Sequence, residues 1–379
     1  TQGRAETPSA ASNIASRMEL KKGDVDAGFA QADVIVEREF STPTVHQGYI
    51  EPHATTVRFD ENGTSTIWCP TQGHFDVRAS TARLLGMELG QIKVTASEIG
   101  GGFGGKTTVY LEPVALILSR KAGRPVKMVM TREEVFRASG PASASQSRIK
   151  IGAKKDGTLV AMQASLYYEA GAFKGSPMGP GCMTVFTPYD VENMWVEGFD
   201  VVVNKAKVAA YRAPGAPQAE FAAEMVMNEL AERLAMDPID FRLQNAAKEG
   251  TQTLYGPKLK AVGLVECLQA AKTSKQYQTA LAEGEGRGVA AGFWFNIGGQ
   301  SSVIINMNPD GTGTILEGSP DIGGSRASMQ MMAAEELGIP LDRLNPIVTD
   351  TEHVAYNQTT GGSRTTFATG MAVVEACQD

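Results

Sequence analysis

Apolar positions along the chain fall into two rhythms, alternation marking strands and 3.6-residue spacing marking helices. A short helix is expected in "DVDAGFAQAD", followed by the alternating strand "VIVEREF". "TTVRFDENGTSTIWC" predicts a hairpin that turns at Glu61-Asn62-Gly63. "FDVRASTARLLGM" gathers Ala79, Ala82, Leu84 and Leu85 on one helical side and stops at Gly86. "QIKVTASEI" reads as a strand running into a glycine loop, "TVYLEPVALILSRKAG" as a helix ended by Gly123, and "PVKMVMTREEVF" as a returning strand. A long hairpin, "SRIKIGAKKDGTLVAMQASLYYEAGAF", turns at Lys155-Asp156-Gly157. Two helices follow, "APQAEFAAEMVMNELAERLAM" and "DPIDFRLQNAA", the second with Pro238 in its first turn.

Residues 251–287 are polar and poor in β-formers, so they read as a linker. Strands resume in "VAAGFWFN", "SSVIINMNPDGTGTILEG" and "NPIVTD", with helices in "RASMQMMAAEEL" and "MAVVEAC". This divides the chain into a polar lead-in over 1–18, a first domain over 19–250, the linker, and the start of a second domain over 288–379. One echo connects the halves: Glu98-Ile99-Gly100-Gly101 and Asp321-Ile322-Gly323-Gly324 each follow a strand and precede a helix. The expectation is an α+β (mixed α/β) fold with two related α/β lobes.

Composition narrows the function classes. A net charge of -7 argues against a nucleic-acid-coating protein or a polybasic membrane anchor. No apolar run reaches the ~20 residues that span a bilayer. Cys69, Cys182, Cys267 and Cys377 are widely spaced, so neither a zinc site nor an iron–sulfur cluster is encoded. Reduced thiols and a cytoplasmic setting are expected. The first residue is not Met, and the chain stops inside an apolar helical pattern, which suggests a fragment or a split subunit.

Gly100 to Thr107 satisfies G-x-x-x-x-G-K-[ST], the phosphate-cradling loop of nucleotide hydrolases. Such an enzyme also needs an apolar strand ending in a magnesium-holding Asp, and "NPIVTD" is a poor candidate. The physics of the loop is generic: glycines let backbone amides approach an anion closely. A nucleotide-binding protein and a cofactor-free structural piece of a complex remain the alternative readings.

The run "SEIGGGFGGK", preceded by "PTQGHFDVRASTARLLGM" and followed by "AAYRAPGAPQAEFAAEMVMNELA", closely resembles the molybdenum-binding subunit of the xanthine dehydrogenase / aldehyde oxidase family of molybdenum hydroxylases. The likeness runs from about Lys22 to Cys377. It implies a molybdopterin-binding domain of two related lobes. Gln72 resembles the amide that hydrogen-bonds an oxygen on molybdenum, and Gly101-Gly102-Phe103-Gly104 the backbone lying against the metal and pterin. Arg212 resembles the arginine beside the cofactor. Gly323 and Gly324 sit where the family carries a pterin-contacting Gly-Gln, and Gly361-Gly362-Ser363-Arg364-Thr365 resembles the loop holding the cofactor's phosphate end. The dithiolene sulfurs of the pterin hold molybdenum, so no protein metal ligand is implied.

The resemblance further implies molybdenum–molybdopterin in its cytosine dinucleotide form, with [2Fe–2S] clusters and FAD on partner chains. The family's catalytic glutamate, a general base, is expected beyond Asp379, leaving this chain inactive alone. The C-terminal remainder of the subunit is then a further partner. Thr107 stands where purine oxidisers carry an acid, and Ala213 where carbon monoxide dehydrogenases carry a cysteine. Gly324 replaces the usual glutamine. An aromatic N-heterocycle of nicotinate type, or an aldehyde, is the substrate expected.

Overall fold

The structure, a computed structural model, describes residues 12–295 and 297–379. In chain order the strands are β1 (Ile14–Lys22), β2 (Val34–Thr42), β3 (Ala54–Phe59), β4 (Ser65–Cys69), β5 (Ile92–Ala96), β6 (Val126–Val129), β7 (Ser145–Ala153), β8 (Leu159–Gly171), β9 (Asn193–Val202), β10 (Val303–Met307), β11 (Gly313–Glu317) and β12 (Leu344–Val348). The helices are α1 (Val25–Phe29), α2 (His74–Leu85), α3 (Glu112–Ala122), α4 (Arg132–Ala138), α5 (Met178–Thr184), α6 (Ala216–Arg233), α7 (Pro238–Asn245), α8 (Leu264–Thr273), α9 (Lys275–Gln278), α10 (Ser325–Leu337) and α11 (Gly370–Gln378). Strands and helices mix as expected of an α+β fold. Of the lead-in expected over 1–18, residues 1–11 lie outside the described residues, and from Ile14 the chain is already in β1.

Packing gathers the chain into two compact units built from discontinuous segments. The first takes in residues up to Val45, Ala142–Val208 and Ala213–Trp294. Its sheet has the order β1-β9-β8-β7-β2, antiparallel except for the parallel β8–β9 pair. Ala219, Ala222, Val226, Met227 and Leu230 form the apolar stripe of α6, all fully buried. Each large aliphatic among them is worth about 1.5–3 kcal/mol of burial. Glu224 shares the helix and is buried too; it is neutralised by the fully buried Arg242 at 2.8 Å. The polar stretch 251–287 carries α8 and α9, and the Tyr277 hydroxyl donates to Asp237 ahead of α7 (2.7 Å). "VAAGFWFN" forms no strand among its described residues. The Ala291 and Phe293 amides donate instead to the carboxylates of Glu224 (2.6 Å) and Glu220 (2.9 Å).

The second unit comprises His46–Pro141, Ala209–Arg212 and Phe295–Asp379. It holds a sheet of order β5-β4-β3-β6 and another of order β10-β11-β12. Here the internal repeat becomes visible, in a different register from the one the sequence suggests. Hairpin β3–β4, helix α2 and strand β5, parallel to β4, match hairpin β10–β11, helix α10 and strand β12, parallel to β11. Each helix ends on a left-handed glycine, Gly86 (φ 64°) or Gly338 (φ 66°). Each then passes through one 3₁₀ turn, Leu89–Gln91 or Leu341–Arg343, into its strand. The echo that paired Glu98–Gly101 with Asp321–Gly324 is therefore displaced. Asp321–Gly324 lies in the turn before α10, equivalent to the Gln72 turn before α2, whereas Glu98–Gly101 follows β5. Glycine pairs match by composition, but topology is set by the pattern of the whole hairpin-helix-strand unit. A second expectation fails after β6. "TREEVF" is helical because Thr131 and Glu134 exchange hydrogen bonds in a capping box (3.2 and 2.7 Å).

Candidate cofactor site

Every residue expected at the site lies in this second unit. Gln72 occupies the turn between β4 and α2 and is 3% exposed. Its backbone N–H donates to the Lys106 carbonyl (2.9 Å), and its own carbonyl accepts from the Thr360 N–H (2.8 Å). Its side-chain Oε1 accepts from the amides of Gly104 (2.9 Å) and Lys106 (3.2 Å), while Nε2 donates to the Thr360 carbonyl (2.8 Å). One side chain thus joins the glycine loop to the segment before Gly361. The amide has two N–H donors, and only one is used in these bonds.

The glycine loop is shaped by close approach. A Cβ on Gly102 would stand 2.5 Å from Gln72 Oε1. On Gly104, at φ 102°, it would stand 2.6 Å from the Ala210 carbonyl. Phe103, at the loop tip, adopts φ 53° and is 44% exposed. Its carbonyl accepts the Arg212 N–H (2.9 Å), bringing Arg212 beside the loop, itself at φ 20°. Two strained non-glycine residues side by side mark a backbone held in place by its surroundings. Among the described residues the exposed Arg212 guanidinium has no hydrogen-bond or ion-pair partner.

Lys106 does not behave as a nucleotide-binding lysine. It is 1% exposed, and its ammonium is paired with Glu51 at 2.6 Å. Nor does a helix begin at Thr107; α3 starts at Glu112. Phosphate-cradling loops place their amides at a helix N-terminus, which this loop lacks.

In the second repeat, the turn before α10 turns inward. Asp321 Oδ1 accepts from the amides of Gly323 (2.8 Å), Gly324 (2.7 Å) and Ser325 (3.0 Å), and Oδ2 from Arg326 Nε (2.9 Å). Burial opposes ionisation, but these donors outweigh it and hold the Asp321 carboxyl well below the usual carboxylate range. The amides of Gly323 and Gly324 are thus occupied by the protein itself. What these glycines offer a ligand is space, since a Cβ on either would meet nothing within 4 Å. Arg326 also pairs with Glu98 (2.7 Å), so one guanidinium bridges the two loops of the sequence echo.

The 361–365 segment divides its work. Arg364 is 1% exposed and entirely engaged: it donates to the carbonyls of Gly298 (3.1 Å), Gln358 (2.9 Å) and Gln300 (2.7 Å) and to the Ser301 hydroxyl (2.7 Å). It is a staple for neighbouring loops. Among the described residues the amides of Gly361, Gly362 and Ser363 have no acceptor, and Gly362 and Ser363 both take positive φ (66° and 63°). Consecutive free amides are donors available to an anion. The Thr365 hydroxyl reaches Thr360 at 3.3 Å.

A cleft of about 320 Å³ lies between the last two loops, lined by Ile322, Gly323, Gly324, Ser325, Thr360 and Thr365 among others. Ser325 is one of the lining residues, and among the described residues its buried hydroxyl has no partner. An orphaned hydroxyl, free amides and an amide donor on Gln72 suit a large, polar, anionic cofactor. Sequence reasoning missed Ser325, Thr360 and Glu51, and named Asp321 only within the Glu98/Asp321 echo, without its bonds to its own turn. Only Asp321 carried a local signal, an acid just ahead of a helix.

Two family models match, each described as a molybdopterin cofactor-binding domain, over residues 7–246 and 264–379. The chain is 36% identical over 267 residues to the nicotinate dehydrogenase large molybdopterin subunit of Eubacterium barkeri, covering 69% of this chain and 62% of that protein. It is 30% identical over 394 residues to a probable hypoxanthine oxidase of Escherichia coli (strain K12), covering 97% of this chain and 41% of the relative. The aldehyde oxidoreductase of Desulfovibrio gigas superposes with a TM-score of 0.86 at 26% identity, over 98% of this chain and 43% of that one. The chain thus spans less than two thirds of the proteins it matches. It belongs to the molybdenum hydroxylases of the xanthine dehydrogenase and aldehyde oxidase family, and carries their molybdopterin cofactor-binding domains.

Proposed function

We propose that the chain is the molybdopterin-binding portion of a hydroxylase that oxidises an aromatic N-heterocycle of nicotinate type, or an aldehyde, with water as the oxygen source. Electrons pass to [2Fe–2S] and FAD groups on partner chains, in a cytoplasmic complex whose molybdopterin is the cytosine dinucleotide form. The observation that carries this reading is the Gln72 junction, where one buried amide fixes the glycine loop against the segment leading to Gly361 and keeps an N–H in reserve.

When bound, the cofactor supplies two-electron redox chemistry that no side chain here can. The residues of this chain hold and orient it. Free amides at Gly361–Ser363 and the Ser325 hydroxyl receive the anionic end, and Gln72 donates from the glycine-loop side. The Arg212 guanidinium balances negative charge. Phe103 offers an exposed ring beside it, suited to a flat substrate. Thr107 in place of an acid disfavours purines, and Ala213 in place of a cysteine disfavours carbon monoxide. The nicotinate dehydrogenase relative supports the heterocycle. The test is a substrate panel on the native complex: turnover of nicotinate-like rings or aldehydes is expected. Turnover confined to hypoxanthine or carbon monoxide would overturn the substrate assignment.

A further inference from the structure

The lysine that makes the glycine loop look like a nucleotide site is buried, and its neighbours suggest another task. Glu51 Oε2 accepts from Lys106 Nζ (2.6 Å) and from the Gly100 N–H (2.7 Å), while the Glu51 N–H donates to the Gly100 carbonyl (3.3 Å). One carboxylate therefore grips both ends of the 100–106 loop. A Cβ on Gly100 would lie 2.5 Å from Glu51 Cβ, so the approach is as close as a glycine permits. The Lys106 ammonium also lies 5.0 Å from the centre of the buried Tyr49 ring. On its backbone side, Lys106 exchanges hydrogen bonds with Gln72, N–H to Oε1 and carbonyl from N–H. The chain of contact runs from Glu51 through Lys106 to Gln72, and from Gln72 to Gly104 and Thr360.

We infer that Glu51 and Lys106 are positioning residues for the cofactor site: they clamp the glycine loop so that Gln72 and the Gly102–Gly104 backbone are set before the cofactor arrives. Neither touches the cofactor. The inference rests on the molybdopterin reading. It accounts for a loop that keeps the lysine of a phosphate-binding motif without using it on phosphate. Pre-set geometry matters because a site that must order itself on binding loses affinity to that ordering.

The experiment replaces the pair by apolar residues of similar size, Glu51→Leu with Lys106→Met, in the full complex. Such replacements usually preserve folding, so the unfolding midpoint reports whether the fold survives. Two readouts follow: amide hydrogen exchange in the segment 98–108, and molybdenum and pterin per chain after gel filtration. The clamp expects exchange to rise at least about tenfold and cofactor content to fall at least about fivefold, with the midpoint held. Glu51→Gln keeps an acceptor for Gly100 and is expected to recover most of the exchange protection. If the double variant does not fold, Lys106→Met alone is read the same way, with faster exchange expected. Unchanged exchange and cofactor content in a folded variant would overturn the clamp. Molybdenum missing from the unaltered complex would overturn the cofactor reading instead, and exchange would still decide the clamp.

Discussion

The two repeats of the second unit share a hairpin, a helix, a left-handed glycine and a parallel strand, yet they use the polar residue in the strand-to-helix turn in opposite ways. Gln72 reaches outward to Gly104, Lys106 and Thr360, residues distant in sequence. Asp321 folds back on the amides of the next residues and closes its own helix start. The same scaffold therefore yields one junction that organises other loops and one turn that is self-sufficient. Free donors for a ligand arise at Gly361–Ser363, which follow Thr360 of the junction, whereas the amides of Gly323 and Gly324 in the self-capped turn are already taken.

The contrast breaks most sharply at Gln72. Gln72→Leu leaves the Gly104 and Lys106 amides and the Thr360 carbonyl unpaired, a cost of about 2–5 kcal/mol in denaturant unfolding. Cofactor content should fall to near zero. Next comes crowding of the same junction. Gly102→Ala and Gly104→Ala place a Cβ 2.5 and 2.6 Å from Gln72 Oε1 and the Ala210 carbonyl, and at Gly104 the positive φ adds strain. Both should lower molybdenum per chain several-fold while the first unit's sheet stays intact by circular dichroism.

Asp321→Asn should act on stability more than on cofactor content, costing about 1–2 kcal/mol as the charge-assisted hydrogen bonds from the Gly323, Gly324 and Ser325 amides and from Arg326 weaken. The folded pKa of Asp321 is depressed. Its contribution is therefore full above the unfolded value of about 4 and disappears as pH falls below it. Wild type and variant should converge in acid and separate at neutral pH. Glu317, at the end of β11, has the opposite sign. It is fully buried, and among the described residues neither carboxylate oxygen has a hydrogen-bond partner. Burial, with help from Asp321, pushes its pKa up to about 8. Its folded form holds the proton, so stability is greatest below the unfolded pKa of about 4 and declines as pH rises towards 8. Glu317→Gln should flatten that decline, so that the variant's stability by denaturant unfolding changes less than the wild type's as pH rises towards about 8. The smallest effect is expected from Mg-ATP, which should give no heat of binding because Lys106 is already paired.

Much of this was legible in the sequence where the signal is local. Gly86 ends its helix, Asn62-Gly63 lies in the hairpin turn, and "APQAEFAAEMVMNELAER" carries its apolar stripe in place. What escaped depends on partners far along the chain. Nothing near Glu51 announces that it meets Gly100 and Lys106, and nothing near Gln72 announces Thr360. Arg364 looked like a ligand residue, and only the fold shows four acceptors around it. The "VAAGFWFN" strand failed because Glu220 and Glu224, on α6, capture amides that a strand would need.

The central claim is that the Gln72 junction builds a molybdopterin site. Metal and pterin analysis of the native complex, recovered through this chain with and without Gln72→Leu, tests it most directly. The account expects about one molybdenum per chain in the unaltered complex, as one such site per chain requires, and almost none in the folded variant. Equal molybdenum in both would contradict the junction's role, and none in either would contradict the cofactor itself.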